Sequence, residues 1–184
     1  MTDLMAITAL GAVAPYEFQI GGLVIRENTE LALASLSLGR GQGAPTILGT
    51  SMPDVGQWQA GPEVSAFWTA PNQWFIEGQG RAHEDFAAIV KAAAPDCAVT
   101  EQTDGWVAFD VCSNDGFKPL EGLLEKLVNI DLGGFGVGTA LRTGLHHMSV
   151  YLIRRSDTHV TIMGMRTFAA ALCHALESTA VRLR

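Results

Sequence analysis

The chain has 184 residues with a formal net charge of −7; 48% of its residues are apolar and 17% are charged, a balance that argues against disorder and allows a full core. Only three residues are lysine, against nine arginines, so the concentrated positive charge that a phosphate backbone needs is missing and nucleic acid is a poor ligand. No apolar run reaches the roughly 20 residues of a membrane span. No Lys or Arg precedes Arg26, so the N-terminus does not read as a secretory signal. Cys97, Cys112 and Cys173 are widely spaced in apolar settings, as buried reduced thiols are. A cytoplasmic protein is expected.

Residues 1–28 read as an N-terminal arm with short apolar pieces between glycines and prolines, and one short strand at Leu23–Arg26. Residues 29–184 read as one domain. Leu31–Leu38 is a strand suited to burial on both faces, and a Gly- and Pro-rich loop follows it. Thr46–Leu48 is a short pairing segment, and Met52–Pro62 is rich in turns. S-A-F-W-T-A-P-N-Q-W-F-I-E-G predicts two strands about the turn Ala70-Pro71-Asn72-Gln73, with Trp68 and Trp74 near its ends. His83–Ala94 predicts a helix with Phe86, Ile89, Val90 and Ala93 on one face, stopped by Pro95.

In Val99–Cys112 the alternation puts Val107, Phe109 and Val111 on one side and Trp106, Ala108 and Asp110 on the other. A second helix carries Pro119 in its first turn and the stripe Leu120, Leu123, Leu124, Leu127. After the glycine-rich loop Asp131–Gly138 come a hairpin and a final helix. Met148, Val150 and Leu152 share a face, as do Val160 and Ile162, about the turn Arg154–Thr158. Thr167 is the expected N-cap, and Phe168, Leu172, Ala175 and Leu176 the expected buried stripe.

F-I-E-G-Q-G-R-A-H-E-D-F-A-A-I-V resembles T-I-M-G-M-R-T-F-A-A-A-L-C-H-A-L, offset by a short insertion. Strand, turn, strand and helix would then occur twice. The fold class expected is α+β, one domain of two similar strand–strand–helix halves, about 29–95 and 99–184.

The chemical motifs are weak. Gly134-x-Gly136-x-Gly138 follows a helix and leads into a strand, the reverse of a dinucleotide loop. His146 and His147 are adjacent in a predicted strand and so point to opposite faces. There is no Cys-x-x-Cys, no His-x-x-x-His and no Gly-x-Ser-x-Gly. Glu101, Asp104 and Asp110 lie around Trp106, where a carboxylate would hold a pterin-like ring through its N–H donors; the plainer reading is a turn aspartate and a solvent-facing strand residue. Trp58, Phe67, Trp68, Trp74 and Phe75 form an aromatic cluster that fits ligand stacking, partner anchoring and core packing alike.

W-T-A-P-N-Q-W, T-D-G-W-V-A-F-D-V, the leucine-rich helix with Asp131-Leu132, L-R-T-G-L-H-H-M-S-V-Y-L-I-R and M-R-T-F-A-A-A-L occur in that order. The set, spanning most of the chain, resembles the gamma subunits of heterotetrameric sarcosine oxidase. The resemblance implies a fold similar to the folate-binding domain of the glycine-cleavage aminomethyltransferases, without their C-terminal barrel. It implies alpha, beta and delta partner subunits, with the gamma chain packed mainly on alpha. NAD and the tetrahydrofolate site belong to alpha, FAD and covalent FMN to beta, and zinc to delta. The complex oxidises sarcosine to glycine, yields hydrogen peroxide and passes the one-carbon unit to tetrahydrofolate. No catalytic residue, metal ligand or cofactor is expected in this chain itself, beyond Asp104 and Trp106 as remnants of a folate pocket. Trp68, Trp74, Arg154, Arg155 and Arg166 are the expected partner contacts. The expectation is a non-catalytic assembly subunit. The alternatives are a freestanding folate-binding or one-carbon-transfer protein and a homo-oligomeric scaffold.

Overall fold

The computed structural model describes residues 6–183. Its strands, in chain order, begin with β1 (Glu17–Ile20), β2 (Leu23–Glu27), β3 (Leu31–Ser37), β4 (Thr46–Ile47), β5 (Thr50–Ser51), β6 (Trp58–Ala60), β7 (Ser65–Ala70) and β8 (Gln73–Gln79). Helix α1 (Phe86–Ala93) follows, then β9 (Ala98–Glu101), β10 (Trp106–Ser113), α2 (Lys118–Leu127), β11 (Ala140–Leu145), β12 (Met148–Ser156), β13 (His159–Met165) and α3 (Ala169–Arg182). A six-stranded sheet runs β1-β2-β10-β13-β12-β11, and a five-stranded sheet runs β6-β7-β8-β3-β9. All the named pairings are antiparallel.

Strand alternation turns these sheets into four layers. On β8, Trp74 and Ile76 face α1, where they meet Phe86 and Val90. Phe75, on the opposite face, meets Trp106 and Tyr151 of the other sheet. On β10, Val107, Phe109 and Val111 pack under α2 and α3, while Trp106 and Ala108 face the five-stranded sheet. The order is therefore α1, five-stranded sheet, six-stranded sheet, then α2 with α3. The expected α+β class and the two-sidedness of β10 both hold.

Local chemistry explains several elements. Asp85 caps α1 by accepting a hydrogen bond from the Ala88 amide at 3.1 Å. Pro119 sits in the first turn of α2, and all four expected leucines are buried. The β7–β8 turn has Pro71 ahead of Asn72, which has φ +59°, the residue pattern of a type II turn. Gly78 and Gly164 have a shared reason. A Cβ on Gly78 would lie 2.6 Å from the Phe86 ring, and one on Gly164 would lie 2.9 Å from the Leu172 side chain. Each glycine lets the first large side chain of the following helix reach the strand, and in both cases that side chain comes eight residues later. Phe86 and Leu172 thus occupy comparable places over their strands, whereas Phe168, expected in the buried stripe, is 43% exposed.

Other expectations are corrected. The arm carries two strands, and β2 pairs with β10, so residues 17–27 complete the six-stranded sheet. Its first five residues lie outside the described part of the chain. Val99–Cys112 is divided: β9 ends in one sheet, a single 3₁₀ turn at Thr103–Gly105 redirects the chain, and β10 begins in the other. His146 and His147 form the exposed turn between β11 and β12, with His146 at φ +50°. The β12–β13 reversal narrows to Asp157-Thr158, after a bulge between Arg154 and Ser156. Thr167 lies in a 3₁₀ turn, Arg166–Phe168, which makes no side-chain cap.

Candidate functional site

Strand β2 pairs with β10 only from Phe109 onward, so the first residues of β10 have no strand beside them on that side. The last contact is the Asn28 amide donating to the Ala108 carbonyl at 2.9 Å. This gap, where the chain crosses from one sheet to the other, holds a cavity of about 460 Å³. Leu33, Trp106, Ala108 and Met163 form its apolar wall, and residues 6–9 with Val13 and Pro15 roof it. The volume falls in the range of small-molecule sites.

Polar bonds hold the roof. Glu27, 2% exposed, accepts hydrogen bonds from the amides of Leu10 at 3.3 Å and Tyr16 at 3.2 Å. Arg166 Nη2 donates to the carbonyls of Ile7 and Thr8, both at 3.3 Å. Its Nη1 lies 3.6 Å from Asp104 Oδ1, whose side chain is 98% exposed. Ile7 and Val13 point largely into solvent. These side-chain contacts are long for hydrogen bonds and loosely paired for an ion pair, while the Glu27 amide donates to the Tyr16 carbonyl at 2.8 Å and fixes the end of the roof.

Of the three carboxylates near Trp106, only Asp104 lines the cavity. Glu101 accepts from the amides of Ala87, Gln102 and Thr103, so it ties the start of α1 to the turn after β9. Burial alone would raise its pKa; the Thr103 hydroxyl and these amides hold it below the ordinary value. Asp110 does not face solvent as the plainer reading had it. It accepts from Thr161 Oγ1 at 2.6 Å and Asn28 Nδ2 at 2.9 Å, and His159 Nε2 lies 2.9 Å away. Burial would raise this carboxyl too, but the hydrogen bonds shared with His159 and Thr161 lower it.

The strongest polar feature lies between the sheets. Glu77 of β8 is 1% exposed, and Arg155 of β12 grips both its oxygens at 2.6 Å. Ser65 Oγ and Trp58 Nε1 add donors at 2.7 and 2.9 Å. Arg155 also donates to Thr161 at 3.0 Å and stacks 4.8 Å from the Trp58 ring. Burial opposes the Glu77 charge, yet Arg155, Ser65 and Trp58 outweigh it and leave the carboxyl below its ordinary value. Arg155 is held above its own ordinary value: burial lowers it, and the Glu77 charge more than reverses that.

The residues expected at a partner interface therefore divide. Trp74 is buried and donates to the Pro53 carbonyl at 2.8 Å, so it packs the core. Trp68 is partly buried against the same core. The side chains of Arg154 and Arg155 are only 12% and 13% exposed, which corrects their reading as exposed arginines. Arg154 stacks 3.5 Å from the Phe117 ring and donates to the Phe135 carbonyl at 2.6 Å. Arg166 stays 36% exposed and joins Asp104 and Trp106 at the cavity, a grouping the sequence did not reveal. Glu27 and Glu77 escaped notice as well. For Glu77 the only signal was a single charge within an apolar strand, F-I-E-G; Glu27, next to Arg26 at the end of β2, carried none.

Among the described residues no group of three or more His, Cys, Asp or Glu side chains is arranged to hold a metal ion. No helix among them is long and apolar enough to cross a membrane.

No protein-family model matches the chain, and no curated protein does. Solved structures do match. A chain of the heterotetrameric sarcosine oxidase from Corynebacterium sp. U-96, in complex with pyrrole 2-carboxylate, aligns with TM-score 0.72 and 16% identity over 89% of this chain and 87% of that one. The glycine cleavage system aminomethyltransferase T from Bartonella henselae aligns with TM-score 0.58 and 13% identity over 82% of this chain, which spans only 44% of that enzyme. The shared property is the fold, the aminomethyltransferase-like arrangement that the sequence resemblance implied.

Proposed function

We propose that this chain is a non-catalytic assembly subunit of a heterotetrameric, flavin-dependent sarcosine oxidase, seated mainly against an alpha subunit alongside beta and delta. One observation carries the reading: the chain and a whole chain of such an oxidase cover each other almost end to end, at 89% and 87%. Against the aminomethyltransferase the chain accounts for less than half of the other molecule. On this reading FAD, FMN, NAD, zinc and tetrahydrofolate sit on the other subunits, and residues of about 29–95 and 99–184 are similar halves of one domain, with β7–β8–α1 and β12–β13–α3 their matching segments.

The freestanding folate-binding alternative is favoured by the meeting of Asp104 and Trp106 at one cavity. It is opposed by the charge of that cavity. Glu27, Glu30 and Asp104 stand there against Arg166, a poor match for the carboxylates of a folate tail. Co-expression with the alpha, beta and delta chains of a heterotetrameric sarcosine oxidase, followed by sedimentation, tests the assembly reading. Comigration with flavin absorbance is expected. A chain that sediments alone in the presence of all three partners overturns it. Calorimetric titration of the isolated chain with tetrahydrofolate addresses the alternative, which predicts saturable heat.

A further inference from the structure

Gly122 has no reason within the chain to be a glycine. It lies inside α2, where glycine is less stable than alanine and the ordinary helical backbone suits any residue. Crowding does not demand it either. Among the described residues, nothing beyond its immediate helical neighbours lies within 4 Å of the place its Cβ would take. Gly78 and Gly164 each make room for a side chain of this chain; Gly122 leaves its space open.

The surroundings of Gly122 indicate what comes close to it. With Ile20, Leu23, Pro119, Ala180 and Leu183 it lines a hollow of about 270 Å³, between the β1–β2 turn and the adjoining ends of α2 and α3. Small-molecule sites hold about 300–1,000 Å³, so this hollow suits one large anchoring side chain better than a whole ligand. Leu183, 39% exposed, and Val181, 49% exposed, extend the apolar surface. Lys118 is the one charged side chain in the lining, and it forms no ion pair among the described residues. It stands in the first turn of α2, whose N-terminus has no side-chain cap. Asp115 abuts Gly22, where a Cβ would lie 2.5 Å from its Oδ2, and leaves Lys118 unpaired. An apolar hollow with an unpaired ammonium and helix N–H groups at its rim complements an apolar side chain that has a carboxylate beside it. A second copy of the chain does not offer this, because a two-fold contact sets hollow against hollow and Lys118 towards Lys118.

We propose that this hollow, with Gly122 in its wall, is the docking site for a segment of a partner subunit that carries one aromatic or leucine side chain next to an acidic residue. The apolar side chain fills the hollow, the acid meets Lys118 and the first turn of α2, and the partner's backbone closes on the bare helix surface at Gly122. This docking site rests on the assembly reading and gives that assembly a surface, at the other end of β2 from the cavity under residues 6–15.

Sedimentation titration with the alpha, beta and delta chains of a heterotetrameric sarcosine oxidase, set beside thermal melts of the isolated full chain, tests it. Gly122→Ala should melt about 2–4 °C above the parent yet bind the partners ~3-fold or more weakly. Gly122→Leu, which projects into the hollow, should melt no lower than the parent and bind at least ~10-fold more weakly. Lys118→Glu should weaken binding and remove the part of the affinity that salt screens. Assembly of the parent matched by Gly122→Leu would overturn the docking site and leave the assembly reading standing. A parent chain that sediments alone overturns both. Gly122→Ala melting below the parent would mean that the chain itself needs the glycine, which also overturns the site. Self-association of the isolated chain that is lost in Gly122→Leu would give the surface to a second copy and overturn the choice of occupant.

Discussion

Replacing Glu77 by Gln keeps the shape of the side chain and removes its charge. Arg155, whose side chain is 13% exposed, would then face an amide in place of two carboxylate oxygens at 2.6 Å. Removing one partner of a buried pair costs about 3–5 kcal/mol, because the remaining charge stays desolvated. For a chain of this size each kcal/mol moves the melting temperature by roughly 2–4 °C, so Glu77→Gln should melt some 6–20 °C lower. Arg155→Met should cost a similar amount. The double variant Glu77→Gln with Arg155→Met should recover most of the loss, since the glutamine oxygen still accepts from Ser65 and Trp58. Acid adds a second signature. Glu77 is depressed below 4.5 in the folded chain, so its contribution is complete above that value and is lost as pH falls through the folded pKa. In Arg155→Met only burial and two neutral donors act on Glu77, so its contribution to the slope over the same acid range should reverse and the acid loss should be smaller than in the parent. Urea unfolding followed by tryptophan fluorescence, at neutral and acid pH, reads both. A loss below about 1 kcal/mol in Glu77→Gln, or single losses that simply add in the double variant, would refute the assignment of this pair as a clamp between the sheets.

The two strand glycines should differ in tolerance. Gly78→Ala drives a methyl into the rigid Phe86 ring at 2.6 Å, and Gly164→Ala meets the mobile end of Leu172 at 2.9 Å. Both should destabilise by about 1–3 kcal/mol, Gly78→Ala more, as measured by thermal melts. Asn72→Ala forces a β-carbon residue without a turn-forming side chain into φ +59° and should cost about 1 kcal/mol, while Asn72→Gly should be neutral or nearly so. Burial, aided by Glu177, pushes the Cys173 thiol up to about 11, and burial and then Asp110 raise Cys112. Both should react slowly with a disulfide reagent near pH 8 in the native protein and rapidly on unfolding; fast native labelling would contradict their packing.

Periodic features were legible because they are local. The leucine stripe of α2, the alternation of β10 and the Pro71-Asn72 turn each follow from neighbours within a few residues. The assignment of strands to sheets does not. β9 and β10 are contiguous in sequence, yet pairing with β3 on one side and with β2 and β13 on the other sends them to different sheets. The same limit hid the polar contacts. Glu77 and Arg155 lie 78 residues apart, so neither reveals the other. Asp104 and Trp106 were noticed as candidates because they are close in sequence. Arg166, which completes their cavity, looked like one of three equivalent arginines until burial separated it from Arg154 and Arg155.

The space between the sheets is filled in two ways. Phe67, Phe75, Trp106 and Tyr151 meet there with ring centroids 5.1–5.9 Å apart. The remaining part holds Glu77, Arg155, Thr161 and Asp110, linked by hydrogen bonds. Aromatic contacts tolerate small rotations of one sheet over the other, whereas a bidentate pair with two further donors does not. We therefore expect the ion pair to fix the relative orientation of the sheets more than it raises stability. The double variant Glu77→Gln with Arg155→Met separates these roles. If orientation is what the pair supplies, that variant will melt close to the parent but show weaker near-ultraviolet circular dichroism from its tryptophans and collapsed methyl dispersion in NMR. A variant equally stable and equally well dispersed would mean that the aromatic contacts and the two sheet crossovers suffice to set the packing, and that the buried charge is dispensable for a unique fold.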